Sequence, residues 1–151
     1  MSSGEESAPF VLTFAHLQRS VSYDRARVES IVKAASRLCA AEARSLGGPL
    51  VQLPAVEVSI VGTRAMARVH REFLDIPGAT DVITFPYGEI LVCASVAAGR
   101  AEEFGHSVTE EIALYIIHGL LHLAGHDDIL PADAARMARA QEKILSLAAR
   151  A

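Results

Sequence analysis

The sequence predicts a single α+β domain with one mixed β-sheet of about four strands, about five helices and a buried central helix that carries a metal site. The chain has 151 residues, of which 51% are hydrophobic and 21% charged, and this suits one domain around one core. Strand-like and helix-like segments follow one another without a regular βαβ repeat, which indicates the α+β class. One helical segment is apolar on nearly every side and is interrupted by two histidines.

The start of the chain and its cysteines indicate a cytoplasmic protein. Residues 1–8 are small, polar and acidic, so we expect a disordered tail before a single domain over residues 9–151. This start does not resemble a secretory signal, and no apolar run reaches the roughly 18 residues of a membrane span. Cys39 and Cys93 lack CxxC spacing and sit among apolar residues, which favours two buried thiols. We therefore expect no membrane association.

The first half of the chain predicts two strands and two helices. Apolar and polar side chains alternate, as in half-buried strands, over residues 10–17 and 55–61. Asp24 is a suitable N-cap for a helix that runs to about Ala43, because apolar residues recur there on one face. Thr63 is expected to cap a shorter helix over 63–73.

The second half predicts a strand pair and three helices. Two strands over 81–85 and 88–93 lie close enough to pair, and a helix over 94–104 follows. The apolar helix is expected to begin at Thr109 and to end at Gly125. A final amphipathic helix covers the last predicted segment, residues 131–149.

The apolar helix and the turn after it predict a metal site. His118 and His122 are four residues apart, so they share one face with roughly 6 Å between their Cβ atoms. Two imidazoles at that spacing can bind one zinc ion at about 2.0–2.1 Å each. The turn at Gly125 brings a third candidate near, either a histidine or one of two aspartates: His126, Asp127 or Asp128.

A bound ion explains these histidines better than core packing does. Burial of two imidazoles without a shared partner would cost several kcal/mol. Three protein ligands would leave the fourth position to water, which is the pattern of catalytic zinc. The zinc peptidase motif has Glu directly after its first His, whereas this chain has Gly119. Gly119 therefore disfavours a metallopeptidase. Its small size would serve one of two roles: it leaves space for a substrate beside the ion, or it allows close helix packing.

Two motifs in the right order resemble the YbeY family of rRNA-maturation endoribonucleases. The family pattern His-Gly-x-Leu-His-Leu-x-Gly-Tyr-Asp-His resembles the stretch from His118 to Asp128. Upstream, Thr-Asp-Val-Leu-Ser-Phe-Pro followed by Gly-Asp-Ile resembles residues 80–86 and 88–90. Downstream, Met137 and Gln141-Glu142 resemble the family's final helix.

The resemblance implies a metal-dependent hydrolase fold, one zinc ion and single-stranded RNA as substrate. It also implies trimming of the small-subunit rRNA 3′ end, ribosome quality control and contact with the ribosomal small subunit or with assembly factors. The family's third metal histidine falls at Asp128, a carboxylate that zinc also accepts. We therefore predict His118, His122 and Asp128 as catalytic metal ligands, with His126 as the alternative third ligand.

Arginines on the 63–73 helix are the predicted RNA contacts. The formal net charge of −4 excludes a global basic field, so RNA would need a local patch. Arg64, Arg68 and Arg71 share one helix face beside His70, and such a stripe suits phosphates, although a solvated helix face would look the same. The family's arginine near the catalytic cleft falls at Leu74 here, so Arg71 is the predicted catalytic substitute.

Three further residues have weaker predicted roles, and two functions compete with the nuclease. Tyr87 is the candidate for base stacking, while Glu89 and Glu111 are candidates for orienting the metal-binding histidines. The first alternative function is a non-catalytic ribosome-assembly factor with a structural metal, which the departures at Asp128 and Leu74 favour. The second and weaker alternative is the metallopeptidase.

Overall fold

The structure is a computed structural model and describes residues 10–151. The predicted tail at residues 1–8 lies outside the described residues. Within them the chain forms the predicted α+β domain, with four strands, five α-helices and a 3-10 turn at Pro49–Gln52. The elements are β1 (Val11–His16), α1 (Arg25–Leu46), β2 (Ala55–Val61), α2 (Thr63–Leu74), β3 (Val82–Phe85), β4 (Glu89–Cys93), α3 (Ala94–Phe104), α4 (Val108–Ala124) and α5 (Pro131–Arg150).

The four strands form one mixed sheet in the order β1-β2-β4-β3. β1 and β4 both pair with β2 in parallel, and β3 pairs with β4 antiparallel. Helix α1 supplies the crossover that the parallel pair β1 and β2 requires. The predicted pairing of the segments 81–85 and 88–93 is confirmed as the antiparallel pair of β3 and β4, and β3 lies at one edge of the sheet.

The two faces of the sheet carry different helices. Ile90 and Val92 on β4 belong to the main core, which they share with α1, α4 and α5. Leu91 and Cys93, the residues in alternate positions, pack with α2 in a smaller cluster. Cys39 and Cys93 are both buried free thiols, as predicted. The sheet thus separates α4 on one face from α2 on the other.

Two helices begin at a different residue from the one predicted. The N-cap of α2 is Gly62, and Thr63 is its first helical residue. Helix α4 is capped by Ser107, whose side chain accepts a hydrogen bond from the Glu110 amide at 3.0 Å. The Thr109 hydroxyl instead accepts one from the Asp24 amide, also at 3.0 Å. Ser107 therefore caps the helix, while Thr109 joins its first turn to the residue that precedes α1.

Among residues 10–151, no helix is both long and apolar enough to cross a membrane.

Candidate metal centre

Helix α4 places two imidazoles at a break in its buried surface. From Glu111 to Ala124 every described side chain is buried except those of His118 and His122, which are half-buried. Because they are one turn apart, their rings meet edge to face with centroids 4.7 Å apart. The helix therefore presents both rings together at one opening.

Asp128 joins the two histidines through the turn that ends α4. Gly125 adopts the left-handed conformation with φ 117° and reverses the chain. The Asp128 Oδ2 atom then lies 3.3 Å from His118 Nε2 and 3.4 Å from His122 Nε2. The three candidate donor atoms all lie within 4.8 Å of one another. The structure thus brings together the three predicted ligands.

Two of the three separations between these atoms match those of donors around one tetrahedral divalent ion. Donors bound at about 2.0–2.1 Å in a tetrahedral site lie roughly 3.3–3.4 Å from one another. The two distances from Asp128 Oδ2 have these values. Two imidazole nitrogens and one carboxylate oxygen also form a donor set that zinc accepts. The residues present therefore fit the ion that their pattern predicts.

Gln141 on α5 fixes the orientation of the first imidazole. Its Oε1 atom lies 2.8 Å from His118 Nδ1 and can only accept, so Nδ1 carries the ring hydrogen. The lone pair of His118 then lies on Nε2, the atom that faces Asp128. The sequence contains a signal for this role, because Gln141 is the polar residue on the buried stripe of α5, which otherwise carries Met137, Ile144 and Ala148.

His126, the alternative third ligand, has a different partner. Its Nε2 atom lies 2.9 Å from Glu42 Oε1 on α1, and its side chain is 7% exposed. This pair attaches the turn after α4 to α1, two residues before Asp128. Sequence reasoning missed Glu42, because a contact between residues so far apart leaves no local pattern.

Two glycines let other elements approach α4 closely. A Cβ atom on Gly48 would lie 2.2 Å from the Ala124 carbonyl carbon, and the Gly48 amide donates to the Ala124 oxygen at 3.1 Å. A Cβ atom on Gly119 would lie 2.9 Å from Ile90 Cγ2 and 2.9 Å from Thr84 Oγ1. Of the two roles left open for Gly119, close packing is therefore the correct one.

The three donors open into a cavity of about 630 Å³. Besides them its lining includes Pro49, Asp81, Thr84 and Pro86. Among the described residues that line it, none is a lysine or an arginine. The cavity is accessible to a substrate. A cationic side chain that binds a substrate phosphate would have to come from outside this lining.

The predicted RNA contacts lie on α2, across the sheet from α4. The side chains of Arg64, Arg68 and Arg71 are exposed there, and Arg71 is not part of the cavity lining. His70 is half-buried, and its Nδ1 donates to the Gly78 carbonyl oxygen at 2.8 Å. The structure therefore keeps the arginine stripe together and does not bring Arg71 to the metal ligands.

The two glutamates suggested as partners of the histidines lie elsewhere. Glu89 accepts a hydrogen bond from the Tyr87 hydroxyl at 2.6 Å. Glu111 is buried and lies 3.4 Å from His106 Nδ1. The suggestion that they orient His118 and His122 was wrong, and Gln141 is the residue found in that position.

Comparison with known proteins gives the same family over most of the chain. A family model described as endoribonuclease YbeY matches residues 13–149. Relatives named endoribonuclease YbeY include one from Mycobacterium sp. (strain KMS), 36% identical over 113 residues, which covers 61% of this chain and 64% of the relative. One from Rhodococcus opacus (strain B4) is 35% identical, with 61% and 63% covered. The chain thus matches less than two thirds of the length of these relatives.

A solved structure supports the fold. The solution structure of TM1509 from Thermotoga maritima superposes with a TM-score of 0.59 at 24% sequence identity, and covers 89% of this chain and 88% of that chain. At this identity the likeness concerns the fold alone. The match to the family model, which extends from residue 13 to residue 149, is the finding that places the sequence. This chain belongs to the YbeY family.

Proposed function

We propose that the chain is a metal-dependent endoribonuclease that cleaves single-stranded RNA. The observation that carries this proposal is the convergence of His118 Nε2, His122 Nε2 and Asp128 Oδ2 at an open cavity. The name of the curated relatives, endoribonuclease YbeY, supplies the reaction class. One zinc ion is the proposed cofactor, because the donor set and the donor separations suit it.

The chain's own residues prepare the site for a phosphodiester. When bound, a divalent ion held by these three ligands would lower the pKa of a water molecule and polarise a phosphate oxygen. Gln141 holds His118 in the tautomer that leaves Nε2 free, and the Glu42–His126 pair holds the turn that carries Asp128. These contacts fix the ligands before substrate arrives, which lowers the cost of assembling the site.

The arginine stripe is proposed to hold the RNA strand outside the cavity. Arg64, Arg68 and Arg71 are exposed on α2, where they can contact phosphates without sequence preference. His70 stays a candidate contact at the same helix. The catalytic role predicted for Arg71 would require a substrate that extends from the cavity to α2.

The family resemblance supports a proposal for the biological setting. We propose that the substrate is rRNA, at the 3′ end of the small-subunit RNA, and that the protein acts in ribosome quality control in the cytoplasm. The ribosomal small subunit or its assembly factors are the proposed partners. The weak supply of aromatic residues, 5% of the chain, agrees with a protein that finds its RNA on a larger particle.

The alternative is a non-catalytic assembly factor with a structural metal. The lack of a cationic side chain among the described lining residues favours it, as does Leu74 at the family's arginine position. The open face of the site favours the nuclease, because structural zinc sites are closed by four protein ligands. A peptidase is disfavoured by Gly119, where a glutamate would collide with Ile90 and Thr84.

The test uses chelator-stripped protein resupplied with zinc, manganese or magnesium. The substrate is a single-stranded RNA that carries the small-subunit 3′ end, with the same RNA in duplex form as the comparison. Internal cleavage of the single strand that needs an added ion supports the proposal. Stoichiometric zinc binding without cleavage under any of the three ions would contradict it and favour the assembly factor.

A further inference from the structure

A groove lies between α2 and the sheet face that α4 does not cover. It has a volume of about 250 Å³, and its lining includes Leu17, Arg68, Phe73, Phe85, Tyr87 and Glu89. The metal-site cavity and this groove share no lining residue. We call it the aromatic groove, because three of these six side chains are aromatic.

The aromatic side chains of this groove form a continuous, partly open surface. The rings of Phe85 and Tyr87 are stacked, with centroids 5.5 Å apart and planes inclined by 22°. Phe73 meets Phe85 edge to face, also with centroids 5.5 Å apart. Phe73 and Tyr87 are each 65% exposed. Exposed rings at this spacing provide a stacking surface for a flat, apolar ligand.

The charges around these rings suit a nucleotide. Arg68 lines the groove, and Arg64 and Arg71 lie about one turn on either side of it on the same helix face. A phosphate is a favourable partner for such a row. The Glu89 carboxylate, which accepts the Tyr87 hydroxyl hydrogen at 2.6 Å, lies beside the rings. A carboxylate at that place can accept from the exocyclic amino group of a stacked base.

The aromatic groove and the metal cavity lie back to back across β3. Thr84 and Pro86 line the cavity, whereas Phe85 and Tyr87 line the groove. For Thr84 and Phe85 this alternation follows from the strand geometry, because successive side chains point to opposite faces of a sheet. Pro86 and Tyr87 lie in the turn that follows β3. β3 is an edge strand. A flexible strand that leaves the groove therefore needs to pass only one edge to enter the cavity.

We infer that the aromatic groove binds single-stranded RNA nucleotides that flank the bond to be cleaved. A base stacks on Tyr87 and Phe73, the phosphates contact the arginine row through Arg68, and the strand crosses β3 to the metal site. This inference rests on the proposed function, because it identifies how the substrate of that site is held. Because the arginine row would bind the phosphates in the groove, the metal cavity itself does not need a cationic side chain.

The test measures RNA affinity separately from cleavage. Binding of a fluorescent single-stranded RNA to the full chain is followed by anisotropy in the presence of a chelator. Tyr87→Leu keeps apolar bulk but removes the ring, and we expect it to weaken binding about tenfold. Tyr87→Phe keeps the ring, and we expect binding within about twofold of the wild type. Arg68→Ala should reduce the slope of log affinity against log salt by about 0.7.

Matched controls are available elsewhere on the surface. Arg37 is exposed on α1, on the other side of the sheet, and Phe104 is 60% exposed at the end of α3. Arg37→Ala and Phe104→Ala should bind RNA like the wild type. Thermal unfolding of each variant, followed by circular dichroism, confirms that the fold is retained.

The outcomes separate this inference from the proposed function. Wild-type affinity in both Tyr87→Leu and Arg68→Ala would overturn the groove inference, even if the enzyme cleaves RNA, and would leave the groove to a protein partner. Weakened affinity in both, with the controls unchanged, supports the groove even in a chain that shows no cleavage.

Discussion

Gln141 and His118 are joined by a 2.8 Å contact between Gln141 Oε1 and His118 Nδ1, which leaves His118 Nε2 facing Asp128. The contact links α5 to His118, the first of the three proposed metal ligands in the sequence. Since an outer partner fixes both the tautomer and the direction of a metal-binding imidazole, Gln141 should contribute to metal affinity without touching the ion.

Replacement of Gln141 by leucine should weaken zinc binding without loss of the fold. Leucine suits the apolar stripe of α5 on which Gln141 lies, but it cannot accept the His118 hydrogen. We expect zinc affinity about 10- to 100-fold below the wild type, measured by competition with a chromophoric chelator. Lys143→Ala, an exposed position on the same helix, is the control. Equal zinc affinity in Gln141→Leu and the wild type would show that the contact does not support the ligand.

Asp128 and His126 should differ sharply as metal ligands. Asp128→Ala removes one of three donors, so we expect loss of stoichiometric zinc binding. His126→Ala breaks only the contact with Glu42 and should keep stoichiometric binding. Asp128→His, which restores the residue that the family pattern has at this position, should also bind zinc. The zinc content of each variant is measured after gel filtration. If Asp128→Ala keeps stoichiometric zinc and His126→Ala loses it, then His126 is the third ligand instead of Asp128.

Two glycines inside helices should respond oppositely to alanine. Gly99→Ala on α3 fills open space and should raise the free energy of unfolding by about 1 kcal/mol, because alanine favours the helix. Gly119→Ala gains the same preference but places a methyl group 2.9 Å from Ile90 Cγ2, a fully buried side chain. We expect a net loss of about 1–2 kcal/mol in urea unfolding. A stabilised Gly119→Ala would mean that α4 is not packed tightly against β4.

Alkaline pH should destabilise the protein through its buried thiol. Burial, followed by the charge of Glu42, raises the pKa of Cys39 above its ordinary value of 9.0. The folded state then keeps a proton that the unfolded chain loses, so this contribution is complete below pH 9 and falls as the pH rises. The slope should approach about 1.4 kcal/mol per pH unit.

Urea unfolding at about pH 8 and about pH 10.5 measures this loss. The Cys39→Ala variant should show a smaller loss between the two pH values, whatever its stability at the lower one. Burial and the charge of Glu111 also raise the pKa of Tyr115, so part of the loss remains in the variant. An identical loss in both proteins would mean that the Cys39 thiol is not the group responsible.

The local parts of the site are those that sequence patterns predict well. The i, i+4 spacing of His118 and His122, the glycine turn and a third ligand within a few residues all depend on one short stretch. Its burial is equally visible, because the helix is apolar on nearly every side. Strands and helices also depend on patterns within short stretches of sequence, so their predicted bounds agree with the structure to within a few residues.

The long-range parts of the site could not be predicted in this way. The Glu42–His126 pair and the approach of Gly48 to Ala124 join α1, and the turn after it, to the end of α4. Nothing in either local sequence requires such a contact. Arg71 is another case that depends on tertiary structure. Its place in the sequence favours the catalytic cleft, whereas α2 packs on the sheet face opposite α4 and Arg71 does not line the cavity.

The dependence of RNA cleavage on the proposed metal site is tested with zinc-loaded wild type and His122→Ala, prepared in parallel. The substrate is single-stranded RNA with the small-subunit 3′ end, with and without chelator. We expect internal cleavage by the wild type that disappears both in the variant and with chelator. Equal cleavage by the wild type and His122→Ala would contradict it, because the activity would then not depend on the site formed by His118, His122 and Asp128.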